Sequence, residues 1–270
     1  MKAMLARGLD HFPGLKSRLR RWRDRLFPGK AVSADYVALQ GEAAMEQGQA
    51  LRQSWQDDTL PDKQWELVEK QLQRLRRGLP VDVFDVFIQA LRVLPASHRQ
   101  QSLLEIGCSS GFYSEVLRIA GLNLRYSGCD YSSAFIAMAH QRYPGNTFTV
   151  EDATALQQAD DSHDIVVSGC CLLHIPQYAQ AVAEAARVAR SHVMFHRTPV
   201  VWGQKETWYR KKAYGIDTVE IHFNEDEFLE LLQAHGLELI ATYTLSESAH
   251  RRDSPQGQAV RTYLCRKLTH

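Results

Sequence analysis

No apolar run in these 270 residues approaches the roughly 18 that a membrane-crossing helix needs, and the N-terminus carries charges where a secretion signal would place its apolar centre. Internal repeats and low-complexity tracts are missing as well, which excludes fibrous and disordered classes. The five cysteines (Cys108, Cys129, Cys170, Cys171 and Cys265) form no C-x-x-C pair and lie mostly in apolar runs. That pattern suits a reducing compartment, and the expectation is a cytoplasmic protein. An excess of one charge is lacking too: 32 Lys and Arg against 31 Asp and Glu leave a formal +1. No global field therefore draws nucleic acid or another acidic polymer to the chain.

What charge bias exists is local. Residues 1–30 hold nine basic and two acidic side chains. Within them, Leu15, Leu19, Trp22 and Leu26 fall at helical spacing among arginines, so residues 14–27 read as a basic amphipathic helix. Such a helix either packs on its own domain or makes peripheral contact with the anionic inner face of a membrane.

With 44% hydrophobic and 23% charged residues the composition is that of a globular protein. The length suits one large domain with an extension. Residues 33–56, 61–78 and 81–94 show helical periodicity, broken at Pro61 and Pro80, so 31–98 is expected to be a helical cap. From residue 99 onward short β-branched or aromatic runs alternate with helical stretches. Strands are expected near 102–107, 124–129, 147–150, 164–169, 191–196, 237–243 and 260–266, with helices over 111–120, 132–142, 177–189 and 225–235. This predicts an α/β fold: a Rossmann-like, seven-stranded, mostly parallel sheet with helices on both faces, plus an N-terminal helical extension. Asn224 should cap the last helix and Gly236 should end it. An insertion near 198–222 interrupts the pattern, and inserted loops of this length usually carry function.

The most informative stretch is Leu103-Leu104-Glu105-Ile106-Gly107-Cys108-Ser109-Ser110-Gly111, an apolar strand entering a small-residue turn before a helix. Gly107 and Gly111 allow a tight turn and close ligand approach, and the helix start offers unpaired N–H groups. Asp130 ends the next strand about 20 residues on, where a carboxylate would take the ribose hydroxyls of a nucleotide. Ser109 and Phe112 stand where a dinucleotide fold needs its second and third glycines, so NAD is disfavoured. Glu105 would repel a pyrophosphate but suits a ligand bearing an ammonium and a sulfonium, which describes S-adenosylmethionine.

These pieces, with Gly128-Cys129-Asp130-Tyr131-Ser132, Val150-Glu151-Asp152-Ala153, His163-Asp164-Ile165-Val166-Val167-Ser168 and Leu172-Leu173-His174-Ile175, resemble the class I S-adenosylmethionine-dependent methyltransferases, closest to the type 11 small-molecule branch. The resemblance covers roughly 101–197. It implies that Glu105, Gly107 and Gly111 surround the methionine moiety, with Cys108 and Ser109 completing the loop. It further implies that Asp130 holds the ribose, Tyr131 flanks the adenine, and Asp152 and the Ala153 backbone meet its polar edge. Ser168 and Gly169 would border the methionine end. The commonest family pattern has another glycine where Ser109 stands.

Methyl transfer is an in-line displacement, so the protein aligns the reactants, excludes water and, for a hydroxyl or protonated amine, supplies a base. His174 is the first candidate for that base; its competing role is to cap the turn before Pro176. His196 and Arg197, ending the fifth expected strand, and Tyr209, Arg210, Lys211 and Lys212 of the insertion are candidate contacts for an anionic acceptor. Glu220 and His222 are weaker acid/base candidates. No metal is expected, because adjacent Cys170 and Cys171 would point to opposite faces of a strand. The leading expectation is a small-molecule or glycan-type acceptor. Nucleic acid is not expected, because Ser168-Gly169-Cys170-Cys171 stands where a base-amine methylase carries [DN]-P-P-[YF]. The alternatives are a nucleic-acid methyltransferase, or an inactive methyltransferase-like module tethered to a membrane or partner.

Overall fold

The computed structural model describes residues 33–39, 43–95, 99–247 and 256–268. The basic segment 14–27 and its proposed membrane contact lie outside the described residues. The described residues from Asp35 onward belong to one compact unit.

The first described element is β1 (Ser33–Leu39), followed by α1 (Ala43–Arg52), a short 3-10 turn Gln53–Gln56, α2 (Leu60–Arg76) and α3 (Asp82–Arg92). Helical periodicity over 33–56 therefore mispredicts its first part, because β1 gains its hydrogen bonds from a strand more than 160 residues away. α3 buries Phe84, Phe87, Ile88 and Leu91, one stripe at helical spacing, and Asp85 takes the Val81 N–H at its start (3.0 Å).

The sheet begins with β2 (Gln101–Ile106), then α4 (Tyr113–Ile119), β3 (Leu124–Asp130), α5 (Ser133–Arg142), β4 (Thr147–Val150), β5 (His163–Gly169), α6 (Tyr178–Val188) and β6 (Ala189–Trp202). It continues with β7 (Thr207–Ala213), β8 (Ile216–Asn224), α7 (Glu225–Ala234), β9 (Leu237–Glu247) and β10 (Gly257–Lys267). Strands β4, β3, β2, β5 and β6 lie side by side and parallel, and β10 is antiparallel to both β6 and β9. Side chains alternate across this layer: Leu103, Ile165, Val167 and Met194 join one core with α3, α4 and α5, while Leu104, Val166, Val193 and Phe195 join another with α6 and α7. Burial on both faces explains why these strands read as continuous apolar runs. As expected, the Asn224 side chain accepts from Glu227 N at the start of α7 (3.1 Å), and Gly236 follows it with φ +70°.

In place of seven expected strands, the described residues hold ten in one hydrogen-bonded sheet. The cause is β6, whose 14 residues outrun β5. One edge carries β10; the other meets β5 up to His196 and then β8 at Val200 and Val201. The expected loop 198–222 is thus largely an antiparallel hairpin, β7 and β8, with β1 beyond it. It rises from the carboxyl end of the parallel strands, the edge where open α/β sheets bind ligands.

Candidate functional site

Three non-glycine residues at this edge lie in the left-handed region: Ser109 after β2 (φ +46°), Cys170 after β5 (φ +68°) and Arg197 within β6 (φ +62°). Such conformations cost about 1–3 kcal/mol each and cluster where a site needs them. Gly107 and Gly111 share the conformation at φ +72°. The loop is tied to β3, with the N–H groups of Gly107 and Cys108 donating to Cys129 O (2.8 and 3.0 Å) and Ser109 N to Asp130 Oδ2 (2.8 Å). Asp130 Oδ1 takes the Ser132 N–H at 2.9 Å, so both loops converge on one carboxylate. Burial raises the Asp130 pKa against these backbone hydrogen bonds.

Ser109 Oγ and Ser110 Oγ are buried without a hydrogen-bond partner among the described residues, which leaves room for a polar ligand at the loop. Glu105, beneath it, is 1% exposed and accepts from the Tyr126 hydroxyl. Burial pushes its carboxyl well up, with Asp130 adding to the effect against the Tyr126 hydrogen bond. A ligand carrying positive charge would relieve that cost. Cys108 is fully buried in the core, and its thiol donates to the Ser109 carbonyl of the loop (3.7 Å). The donor set therefore fits an adenosyl ligand bearing an ammonium and a sulfonium.

At the far end of the loop edge, Asp152 binds Thr154 N and Oγ1 (2.8 and 2.7 Å) and Arg52 (2.8 Å). Burial opposes these contacts, yet Arg52 and Thr154 hold the Asp152 carboxyl below its ordinary range. The Arg52 guanidinium also lies 4.6 Å from the Tyr131 ring centroid, joining the two residues expected to meet an adenine. Arg52 escaped the sequence reading because α1 is 100 residues away and no local motif marks it. Ala153 is buried beside Asp152. Ser168 hydrogen-bonds Cys171 Sγ (3.2 Å), and Gly169 pairs with His196 across β5 and β6.

His174 ends a 3-10 turn, Leu172–His174, and its Nδ1 donates to the Val219 carbonyl of the hairpin at 2.5 Å. That fixes the tautomer and leaves Nε2 with a bare lone pair and no partner among the described residues. Burial, then the Lys211 charge, lowers its pKa to about 4. Trp55, three residues after Arg52, packs against the imidazole with ring centroids 4.7 Å apart, and its indole N–H is buried without a partner among the described residues.

The insertion's cations do not converge. Strand alternation buries Lys211 and exposes Arg210 and Lys212, and Lys211 is paired with Glu220. Glu220 also takes His222 Nε2 (2.8 Å); burial raises its pKa, but His222 and Lys211 bring it down to about 2. Tyr209 packs edge-on against Tyr36 and His222. His196, expected to touch an acceptor, is 1% exposed, bonded to Thr262 Oγ1 (2.8 Å) and walled by Phe87 and Tyr113. Arg197 is half-buried and within electrostatic reach of Cys170, Tyr113, Tyr214 and Glu220.

Comparison with known proteins agrees with this geometry. Residues 104–195 match the family described as a methyltransferase domain. A probable S-adenosylmethionine-dependent methyltransferase of Mycolicibacterium smegmatis is 33% identical over 95 residues, 35% of this chain and 36% of that protein. A demethylmenaquinone methyltransferase of Renibacterium salmoninarum is 32% identical over 90 residues, 33% of this chain and 37% of its own. The chain thus spans about a third of the length of the curated relatives it matches. Among solved structures, 1,6-didemethyltoxoflavin-N1-methyltransferase of Burkholderia thailandensis, crystallised with its acceptor and S-adenosylhomocysteine, superposes with a TM-score of 0.56 at 15% identity. That match covers 89% of this chain and 97% of the other.

Proposed function

We propose that this chain, which carries a class I S-adenosylmethionine-dependent methyltransferase domain with that compound as its cofactor, methylates a small-molecule or glycan-type acceptor, with His174 as the base. When bound, S-adenosylmethionine would supply a methyl group activated by its sulfonium, open to in-line attack by an acceptor lone pair with the thioether sulfur as leaving group and the acceptor proton lost to a base. The observation that carries the reading is the state of His174, neutral with its Nε2 unengaged at the same strand edge as the glycine loop. Asp130, Tyr131 and Asp152 orient the adenosine end, and Glu105 holds the cationic end. His174 Nε2 accepts the proton, and the Glu220 carboxylate offsets part of the burial and Lys211 charge that disfavour the imidazolium.

Thermal-shift titrations with S-adenosylmethionine, S-adenosylhomocysteine and NAD test the donor site. A ligand at a hundredfold its Kd stabilises by about 2.7 kcal/mol, enough to move Tm by several degrees. Stabilisation by the two sulfur ligands and not by NAD supports the reading; no shift with either sulfur ligand refutes it. The base is tested by His174→Gln, expected to lower turnover of an identified acceptor at least about a hundredfold with little change in cofactor affinity.

A further inference from the structure

Arg197 is placed by a β-bulge. Opposite it, β10 advances from Arg261 to Tyr263 while β6 advances from Thr198 back to Phe195, so His196 and Arg197 together face the single residue Thr262. Thr262 Oγ1 serves both, bonding His196 Nδ1 (2.8 Å) and accepting the Arg197 N–H (3.5 Å). Bulges of this kind re-aim a side chain next to a site. Here the bulge sends His196 into the core and leaves Arg197 at the strand edge, across from Cys170, whose N–H donates to His196 O (3.0 Å).

The Arg197 guanidinium has no hydrogen bond or ion pair with any described residue. By contrast, Arg52, Arg76, Arg99, Arg187, Arg190 and Arg261 each meet a carboxylate. A half-buried cation without a partner is costly, and a side chain held there by a left-handed backbone residue is costlier still. The neighbouring cation, Lys211, is matched by Glu220. Among the described residues the Arg197 guanidinium is thus left without a direct partner, while the ionised Glu220 within its electrostatic reach disfavours a dianion.

We propose that Arg197 binds the carboxylate of the methyl acceptor, which is therefore a small hydroxy- or amino-carboxylic acid, a uronic-acid sugar included. This rests on the methyltransferase reading above. The planar guanidinium fork matches a carboxylate in two parallel hydrogen bonds. His174, which feels the Arg197 charge, stands on the same side to take the acceptor's proton.

The test uses the full chain saturated with S-adenosylhomocysteine. A panel of hydroxy- and amino-carboxylates, each paired with its neutral methyl ester, and galacturonate paired with galactose, is titrated calorimetrically. At least one acid should bind about tenfold or more tightly than its neutral partner, as expected for a hydrogen bond to a charged group. That preference should vanish in Arg197→Gln and survive in part in Arg197→Lys, with S-adenosylhomocysteine affinity unchanged in both. The acid–ester contrast in the wild type needs no variant to fold. The proposal is overturned if no acid exceeds its neutral partner, if the preference persists in Arg197→Gln, or if inorganic phosphate binds in preference to every acid. It is likewise overturned if Arg197→Gln folds but loses S-adenosylhomocysteine, which would assign Arg197 to the cofactor's own carboxylate. Failure of the wild type to bind S-adenosylhomocysteine overturns the methyltransferase reading instead.

Discussion

Replacing Gly107 by alanine isolates what the glycine loop demands. Two costs arise. The backbone there has φ +72°, a region that charges an L-residue about 1–2 kcal/mol. A Cβ would also overlap the Cβ of Cys171 and lie 2.7 Å from its Sγ, an overpacking worth about 1–3 kcal/mol. Together they predict a loss of about 2–5 kcal/mol, or roughly 2–4 °C in Tm for each kcal/mol. The two parts separate in a double-mutant cycle with Cys171→Gly, measured by urea denaturation. That change removes both overlapping atoms, leaving the Cys171 Cα at an ordinary 3.7 Å, but does not alter φ at residue 107. The double variant should therefore be about 1–3 kcal/mol more stable than the sum of the singles. Strict additivity, or a Gly107→Ala loss below about 0.5 kcal/mol, would refute the packing of β5's exit loop on the glycine turn.

Other consequences follow from the charged groups. Asp130→Ala should weaken S-adenosylhomocysteine binding at least about thirtyfold by calorimetry and lower stability, since two backbone N–H groups lose their acceptor; affinity within threefold of wild type would remove Asp130 from the site. Burial holds Glu105 protonated more readily than a free carboxyl, so binding a cationic ligand there releases a proton and cofactor affinity should fall as pH drops; Glu105→Gln should flatten that dependence. His174 has a folded pKa of about 4 against an ordinary 6.5, with Lys211 and Arg197 lowering it and Glu220 raising it. The unfolded chain binds the extra proton in that window, so wild-type stability should fall relative to His174→Gln by up to about 1.4 kcal/mol per pH unit as pH decreases from 6.5 towards 4. Equal slopes in urea unfolding would show that the imidazole is not held neutral.

The glycine turn and the carboxylate on the next strand were legible because they are local. Glu105, Gly107, Gly111 and Asp130 lie on two strand ends within 26 residues, and a strand–turn–helix with a carboxylate on the next strand leaves a spacing that can be counted. Asn224 and Gly236 were legible for the same reason, since capping acts within one helical turn. The contacts made by the helical segment and the hairpin were not. Nothing near Arg52 or Trp55 signals that α1 and its 3-10 turn reach Asp152, Tyr131 and His174. The insertion read as a loop because the hydrogen bonds of a hairpin are made between strands and carry little helical or apolar period.

The amino-acid order by itself determined the parallel layer, the glycine turn and the class of cofactor, because each depends on side-chain period or on residues a few positions apart. Tertiary structure alone decided the rest. The overrun of β6 turned an insertion into a sheet that grips His174 through the Val219 carbonyl. A one-residue bulge sent His196 inward and left the Arg197 side chain without a direct partner among the described residues. Pairing with Glu220 cancelled Lys211, and strand alternation turned Arg210 and Lys212 outward. All of these are long-range choices of register and burial, made when distant strands compete for the same hydrogen bonds.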